Sequence, residues 1–225
     1  MAAATGHINV HETGAVEATG HKVLTCEAAD GKLTPALLAG LYSRHADHHM
    51  VKPRMVYISD STELGTVYKR AELAALRAFC DERSLLLFLD GARLSSGLTA
   101  DGSDLTLADL SRLTDCFYIG GTKSGALFGE ALVLINDELK RDFAYSVKQR
   151  GALFAKGRLL GIQFLTLFTD GLFYQIGRRE NELALLLKRG IAERGYRFLT
   201  DSPSNQQFPI LPDQVAAALA RDFEF

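Results

Sequence analysis

Three polar segments in this chain each follow an apolar run. Asp60-Ser61-Thr62-Glu63-Leu64-Gly65 follows RMVYIS, Asp90-Gly91-Ala92-Arg93 follows SLLLFL, and Gly120-Gly121-Thr122-Lys123 follows DCFYI. A lysine amine is a nucleophile only when deprotonated, and burial or nearby cations bring its pKa into a usable range. An arginine fork holds a carboxylate by two parallel hydrogen bonds. Glycines around a lysine admit a flat ligand close to the backbone. A phosphate-cradling P-loop is excluded, because it needs glycine directly before the lysine and another six residues before it. Thr122 and Phe117 occupy those positions.

The elements that must position these groups are legible in the hydrophobic pattern. HKVLTCE, RMVYISD, SLLLFLD, DCFYIGG and ALVLIND read as strands, several of them apolar throughout, as parallel strands covered on both faces are. TPALLAGLYSRHADHH, KRAELAALRAFCDER and TLADLSRL carry apolar residues at helical spacing. This alternation predicts an α/β fold, a three-layer α/β/α arrangement around a mostly parallel sheet. Ligands of such sheets bind at the carboxyl ends of the strands, where all three polar segments fall. Residues 1–145 are expected to form this large domain. Residues 146–225 read as a helical connection, broken near Gly151 and Gly171, and part of a small α+β C-terminal domain.

The bulk properties narrow the function. A chain of 225 residues with 47% hydrophobic and 23% charged content and a net charge of −2 has no basic excess for nucleic acid or anionic membrane. Cys26, Cys80 and Cys116 have no C-x-x-C spacing, which fits a reduced, cytoplasmic setting better than a disulfide framework. No secretory signal is read at MAAATGHINVHE, and the longest apolar stretch, LLGIQFLTLF, is about half a membrane span. HADHH suggests a metal site if it is helical, with His45 and His49 one turn apart, but no carboxylate or cysteine partner stands at ligand spacing, so no metal is expected.

Taken together the polar groups suit pyridoxal phosphate. Lys123 can form a Schiff base with its aldehyde, Asp90 can keep its pyridine nitrogen protonated, and Thr122 can donate to its phosphate. Arg93 can hold a substrate carboxylate. His7 and His11 share one face of an expected strand.

TGHINVHETGAVEATGHKV, VYISDSTELGTVY, FLDGARL and YIGGTKSGALFGEALVL together resemble the threonine aldolase and β-eliminating lyase group of pyridoxal-phosphate enzymes, within the aspartate-aminotransferase-like, fold type I superfamily. The resemblance implies Lys123 as the Schiff-base lysine, Asp90 as the pyridinium partner, Arg93 as a substrate-carboxylate ligand and His7 as the stacking histidine. It implies cleavage of the Cα–Cβ bond of a β-hydroxy amino acid such as threonine by a cytoplasmic homodimer or homotetramer. The base for the β-hydroxyl is left open among Glu63, His7, Glu12 and water. Glu63 stands where many threonine aldolases have a histidine, which keeps β-elimination on the same scaffold as the alternative. The family carries further residues at both ends, so the chain reads as truncated, and a non-catalytic fragment retaining only subunit association is a third reading.

Overall fold

The computed structural model describes residues 1–224. The chain opens with β1 (Ala2–Ala3), α1 (His7–Val10), β2 (Thr25–Cys26) and α2 (Pro35–Ser43), and β1 pairs with β2 in parallel. Next come β3 (Met55–Ser59), α3 (Arg70–Glu82), β4 (Leu86–Asp90), α4 (Leu94–Thr99), α5 (Leu107–Leu113), β5 (Cys116–Gly120) and β6 (Glu130–Leu134). The main sheet has the order β3-β4-β5-β6. Its first three strands are parallel, and β6 returns antiparallel to β5. The sheet is therefore mostly parallel, as expected, and the carboxyl ends of β3, β4 and β5 lie along one edge.

Local sequence accounts for the helices. α2 starts at Thr34, whose hydroxyl accepts from the Leu37 N–H, and Pro35 occupies the first turn, where its missing donor is harmless. α3 buries Leu73, Leu76, Phe79 and Cys80 as one stripe. In α5, Thr106 and Asp109 cap each other's backbone N–H groups. The core joins these stripes to Val56, Ile58, Leu87, Leu89, Phe117 and Ile119 of the sheet. Fully burying each such side chain is worth about 2 kcal/mol.

The opposite sheet face differs from expectation. β4 alternates between buried Leu87 and Leu89 and half-buried Leu86, Phe88 and Asp90, so it is sealed on one face only. Tyr57, Phe88 and Tyr118 form an aromatic row on the less covered face, with ring centroids 5.6 and 6.2 Å apart. An apolar run of this length reads as buried on both sides because phenylalanine and tyrosine occupy the alternate positions.

Three further expectations are corrected. His7 lies in the short helix α1, not on a strand, and its ring centroid is 5.0 Å from that of His11 one turn on. The strand expected over HKVLTCE contracts to Thr25–Cys26. α2 ends at Ser43, so His45, His48 and His49 lie in the loop beyond it. There Asp47, absent from the sequence reading as a partner, accepts from the Nδ1–H of His49 at 2.7 Å.

After β6 come α6 (Asp137–Lys140), α7 (Phe143–Gln149), α8 (Arg158–Phe168) and α9 (Leu172–Ala192). The run Arg158–Ala192 is long and apolar enough to be considered for a membrane span. Left-handed Asp170 and Gly171 break it, and α9 carries Arg178, Arg179, Glu180, Glu182, Lys188 and Arg189. α9 instead packs on α4, burying Phe173, Gly177 and Asn181 at four-residue spacing. A Cβ at Gly177 would stand 2.1 Å from the Ser95 carbonyl oxygen, so only glycine lets the helices approach this closely. Asn181 fills the contact, accepting from the Ser96 hydroxyl at 2.6 Å and donating to the Ser96 carbonyl at 3.0 Å. The chain closes with β7 (Arg197–Phe198), its antiparallel partner β8 (Pro209–Ile210), which the turn-rich sequence conceals, and α10 (Asp213–Leu219).

Candidate active site

Asp90 is the last residue of β4, and three donors converge on its carboxylate. The Tyr118 hydroxyl and the Ala92 N–H, the latter at 2.9 Å, donate to Oδ1, and the Tyr57 hydroxyl donates to Oδ2. Strand register produces this set. Leu89 pairs with Phe117, which brings Tyr118 beside Asp90, and Ser59 pairs with Asp90, which puts Tyr57 one pleat away on the same face. Burial, and then the charge and hydrogen bond of Asp90, raise the pKa of both tyrosines far above the ordinary phenol value, so both remain donors.

Neither tyrosine emerged from the sequence reading. The available signal was positional, since each lies in a strand that ends at this edge, two or three residues before a polar turn.

The ends of β4 and β5 are pressed together. The Gly120 N–H donates to the Gly91 carbonyl at 2.8 Å. A Cβ at Gly120 would stand 2.2 Å from the Ala92 oxygen, and one at Gly91 would stand 2.1 Å from the Tyr118 oxygen. Any side chain at either position would push the Lys123 turn away from Asp90. That turn is folded by Ser124 and Ala126, whose N–H groups donate to the Gly121 carbonyl at 2.9 and 3.0 Å. Ser124 is buried and shares a 2.9 Å hydrogen bond with Ser95 of α4. Thr122 and Lys123 project outward and are exposed, and among the described residues the Lys123 amine has no hydrogen-bond or ion-pair partner.

A second group gathers around the end of β3. Glu63 Oε1 accepts from the Ser59 hydroxyl at 2.7 Å and from the backbone N–H of His7 at 2.8 Å. His7 Nδ1 donates to Glu12 Oε1 at 2.5 Å, which leaves Nε2 as the free ring nitrogen. Glu12 is near enough to Tyr118 to contribute to the rise of its pKa, so this group borders the Asp90 cluster.

Arg93 precedes α4 and is half-buried. Burial lowers its pKa and the charge of Glu180 opposes that shift, although no carboxylate among the described residues lies within 4 Å of it. Glu180 is held by the side-chain amide of Asn205 at 3.0 Å. The structure thus brings Asp90 into one cluster with Tyr57 and Tyr118, and His7 into another with Glu63 and Glu12. Arg93, Thr122 and Lys123 follow the same strand ends without touching either cluster.

This donor set fits pyridoxal phosphate. It offers a half-buried carboxylate for the ring nitrogen, an imidazole fixed by its own carboxylate, a partnerless amine, and bare glycine backbone between them.

The fold and site define the class as an α/β protein with polar groups gathered at the carboxyl ends of a mostly parallel sheet, and comparison with known proteins narrows it. The beta-eliminating lyase family model matches residues 1–208, and the chain belongs to that family. It is 37% identical over 191 residues to a low specificity L-threonine aldolase of Pseudomonas sp. strain NCIMB 10558, covering 84% of this chain and 55% of that protein. It is 34% identical over 225 residues to a low specificity L-threonine aldolase of Pseudomonas aeruginosa, covering 98% of this chain and 65% of the relative. The solved structure of Leishmania major threonine aldolase superposes with a TM-score of 0.97 at 52% identity, covering 99% of this chain and 65% of that one. The chain therefore spans a little over half to about two thirds of the length of these relatives.

Proposed function

We propose that the protein to which this chain belongs is a pyridoxal-phosphate-dependent aldehyde-lyase. It would cleave the Cα–Cβ bond of β-hydroxy amino acids, with L-threonine giving glycine and acetaldehyde. The observation that carries this reading is the Asp90 carboxylate, held by two tyrosine hydroxyls and a backbone N–H at the strand-end edge that also bears Lys123. The similarity to threonine aldolases supports the choice of reaction. When bound, pyridoxal phosphate supplies an electron sink for the bond broken at Cα.

The chain's own residues have separable tasks. Asp90, fixed by Tyr57 and Tyr118, would keep a proton on the cofactor's ring nitrogen. His7, oriented by Glu12, would support the ring. Lys123 Nζ would supply the amine that holds the cofactor, and Thr122 would donate to its phosphate. Arg93, which no carboxylate among the described residues contacts, would receive the substrate carboxylate. Glu63 Oε1 is occupied by Ser59 and His7, so its second oxygen takes the proton from the substrate β-hydroxyl. The exposed apolar face formed by Leu159, Ile162 and Leu165 of α8, beside Leu127 and Phe128, supports assembly as a homodimer or homotetramer.

The test is absorption of the purified chain with added pyridoxal phosphate, before and after borohydride. Lys123→Ala is expected to lose the borohydride-fixed attachment while keeping an unfolding free energy in urea within about 0.5 kcal/mol of the parent, since its side chain is exposed and has no partner among the described residues. Attachment in the parent followed by release of acetaldehyde from threonine supports the reading. Release of a 2-oxo acid and ammonia from threonine would replace it with β-elimination. Attachment that survives Lys123→Ala would refute the assignment of the lysine.

A further inference from the structure

We propose that Asp60 is a positioning residue that works as a neutral carboxylic acid. Protonation removes the cost of burying its carboxyl and so keeps the loop Asp60–Tyr68, and with it Glu63, latched closed on the end of β3. The role of Glu63 at the substrate rests on the function proposed above, whereas the latch rests on the burial and bonding of Asp60.

Asp60 directly follows β3, and its N–H donates to the Asp90 carbonyl at 3.0 Å, extending the ladder by one residue. Its side chain is 1% exposed. α4 closes over it so tightly that a Cβ on Gly97 would stand 3.1 Å from the Ser61 nitrogen and 3.5 Å from Asp60 Cγ. Around it the loop's polar groups are paired. Ser61 donates to Gln206 at 3.1 Å, the Thr62 and Thr66 hydroxyls share a 2.7 Å bond, and Thr66 donates to the Asp30 carbonyl at 2.7 Å.

The Asp60 carboxyl is the exception. Oδ1 accepts a single long bond, 3.3 Å, from the Tyr68 N–H, and Oδ2 has no partner among the described residues. An ionised carboxylate enclosed with one weak neutral donor is far costlier than a neutral acid with one unused hydroxyl.

The charged neighbours do not rescue the ion. Lys32 favours a charge on Asp60 but is itself held by Glu72 at 2.6 Å, with Asp30 at 3.9 Å, and Glu72 repels that charge, so desolvation dominates. From the remaining sides come the Tyr68 phenol, kept neutral by burial, the uncharged Gln206, the backbone of Asp90 and the non-titrating Ser95–Leu98 segment of α4. Desolvation accordingly raises the carboxyl to about pH 7.

The sign of the effect follows. A carboxyl whose pKa is higher in the closed loop than in the open one stabilises closure fully below its ordinary pKa of about 4. That stabilisation falls tenfold per pH unit and levels off above about 7.

The test is hydrogen exchange of the Tyr68 and Thr62 amides between pH 5 and 8, corrected for intrinsic exchange. Protection in the parent chain is expected to fall about tenfold per pH unit up to about 7 and then flatten. In Asp60→Asn it is expected to be independent of pH. As a measurement that needs no variant, one aspartate carboxyl carbon in the NMR spectrum of the parent is expected to titrate near pH 7. Flat protection in the parent, the same slope in Asp60→Asn, or ionisation of every aspartate by pH 5 would overturn the proposal. Exchange reads no catalysis, so an intact latch combined with fully active Glu63→Gln would count against the functional reading alone.

Discussion

Tyr118 and Asp90 stand side by side across β5 and β4, and the tyrosine hydroxyl donates to Oδ1 of the carboxylate. Tyr57 donates to the other oxygen, so two strands hold the carboxylate from opposite sides. Hydrogen bonds to a charged acceptor contribute about 1.5–3 kcal/mol each, and Tyr57→Phe and Tyr118→Phe are each expected to destabilise the chain by that amount in urea. Because both donors serve one carboxylate, the double variant should depart from the sum of the singles by at least about 0.5 kcal/mol. Additive behaviour would mean that the two hydroxyls do not share Asp90.

The same contacts set the behaviour in alkali. Tyr57, Tyr68 and Tyr118 all have pKa values raised chiefly by burial, with Asp90 adding to the rise at Tyr57 and Tyr118. A phenol raised in the folded state lends stability that is complete below the unfolded value of about 10 and is lost as pH climbs past it. Of the seven tyrosines, these three are expected to ionise only as the chain unfolds. Absorbance at 295 nm and circular dichroism, followed together above pH 10, should therefore share a late transition. Ionisation of all seven tyrosines with the fold intact would contradict the buried placement.

The strand-end edge was legible in the sequence because it depends on order along the chain. An apolar run followed by a polar turn, repeated three times, fixes where Asp90, Glu63 and Lys123 fall in a parallel sheet. The tyrosine clamp was not legible, because it depends on register between strands distant in sequence, and alternating aromatics imitate a strand buried on both faces. His7 was misassigned for a related reason. GHINVHE is too short to separate a two-residue period from a helical turn, and the deciding contact, its N–H on Glu63, spans 56 positions. Asp60 appeared only as part of a polar turn, since nothing local tells a buried carboxyl from a solvated one.

The ion pair between Arg77 and Asp115 ties α3 to the sheet beneath the candidate site. Asp115 accepts from Arg77 at 2.6 Å, from the Leu87 N–H at 2.7 Å and from the Asn136 side chain at 2.9 Å, so one carboxylate joins α3, β4 and the end of β6. Burial works to raise its pKa, but the hydrogen bonds from Asn136, Leu87 and Arg77 outweigh it and hold the pKa below the usual aspartate value. A depressed carboxyl lends stability that is present above the unfolded value of about 3.9 and is lost as pH falls through the lower folded value. Asp115→Asn, which leaves Arg77 without this partner, is expected to destabilise the chain by about 3 kcal/mol at neutral pH. The difference between variant and parent should begin to shrink below pH 4, where the unfolded chain takes up the proton, and level off only below the depressed folded value. Urea melts at pH 7 and at successive pH values below 4 check both statements, and a difference that stays constant throughout would mean that the carboxylate's charge is not what holds α3 in place.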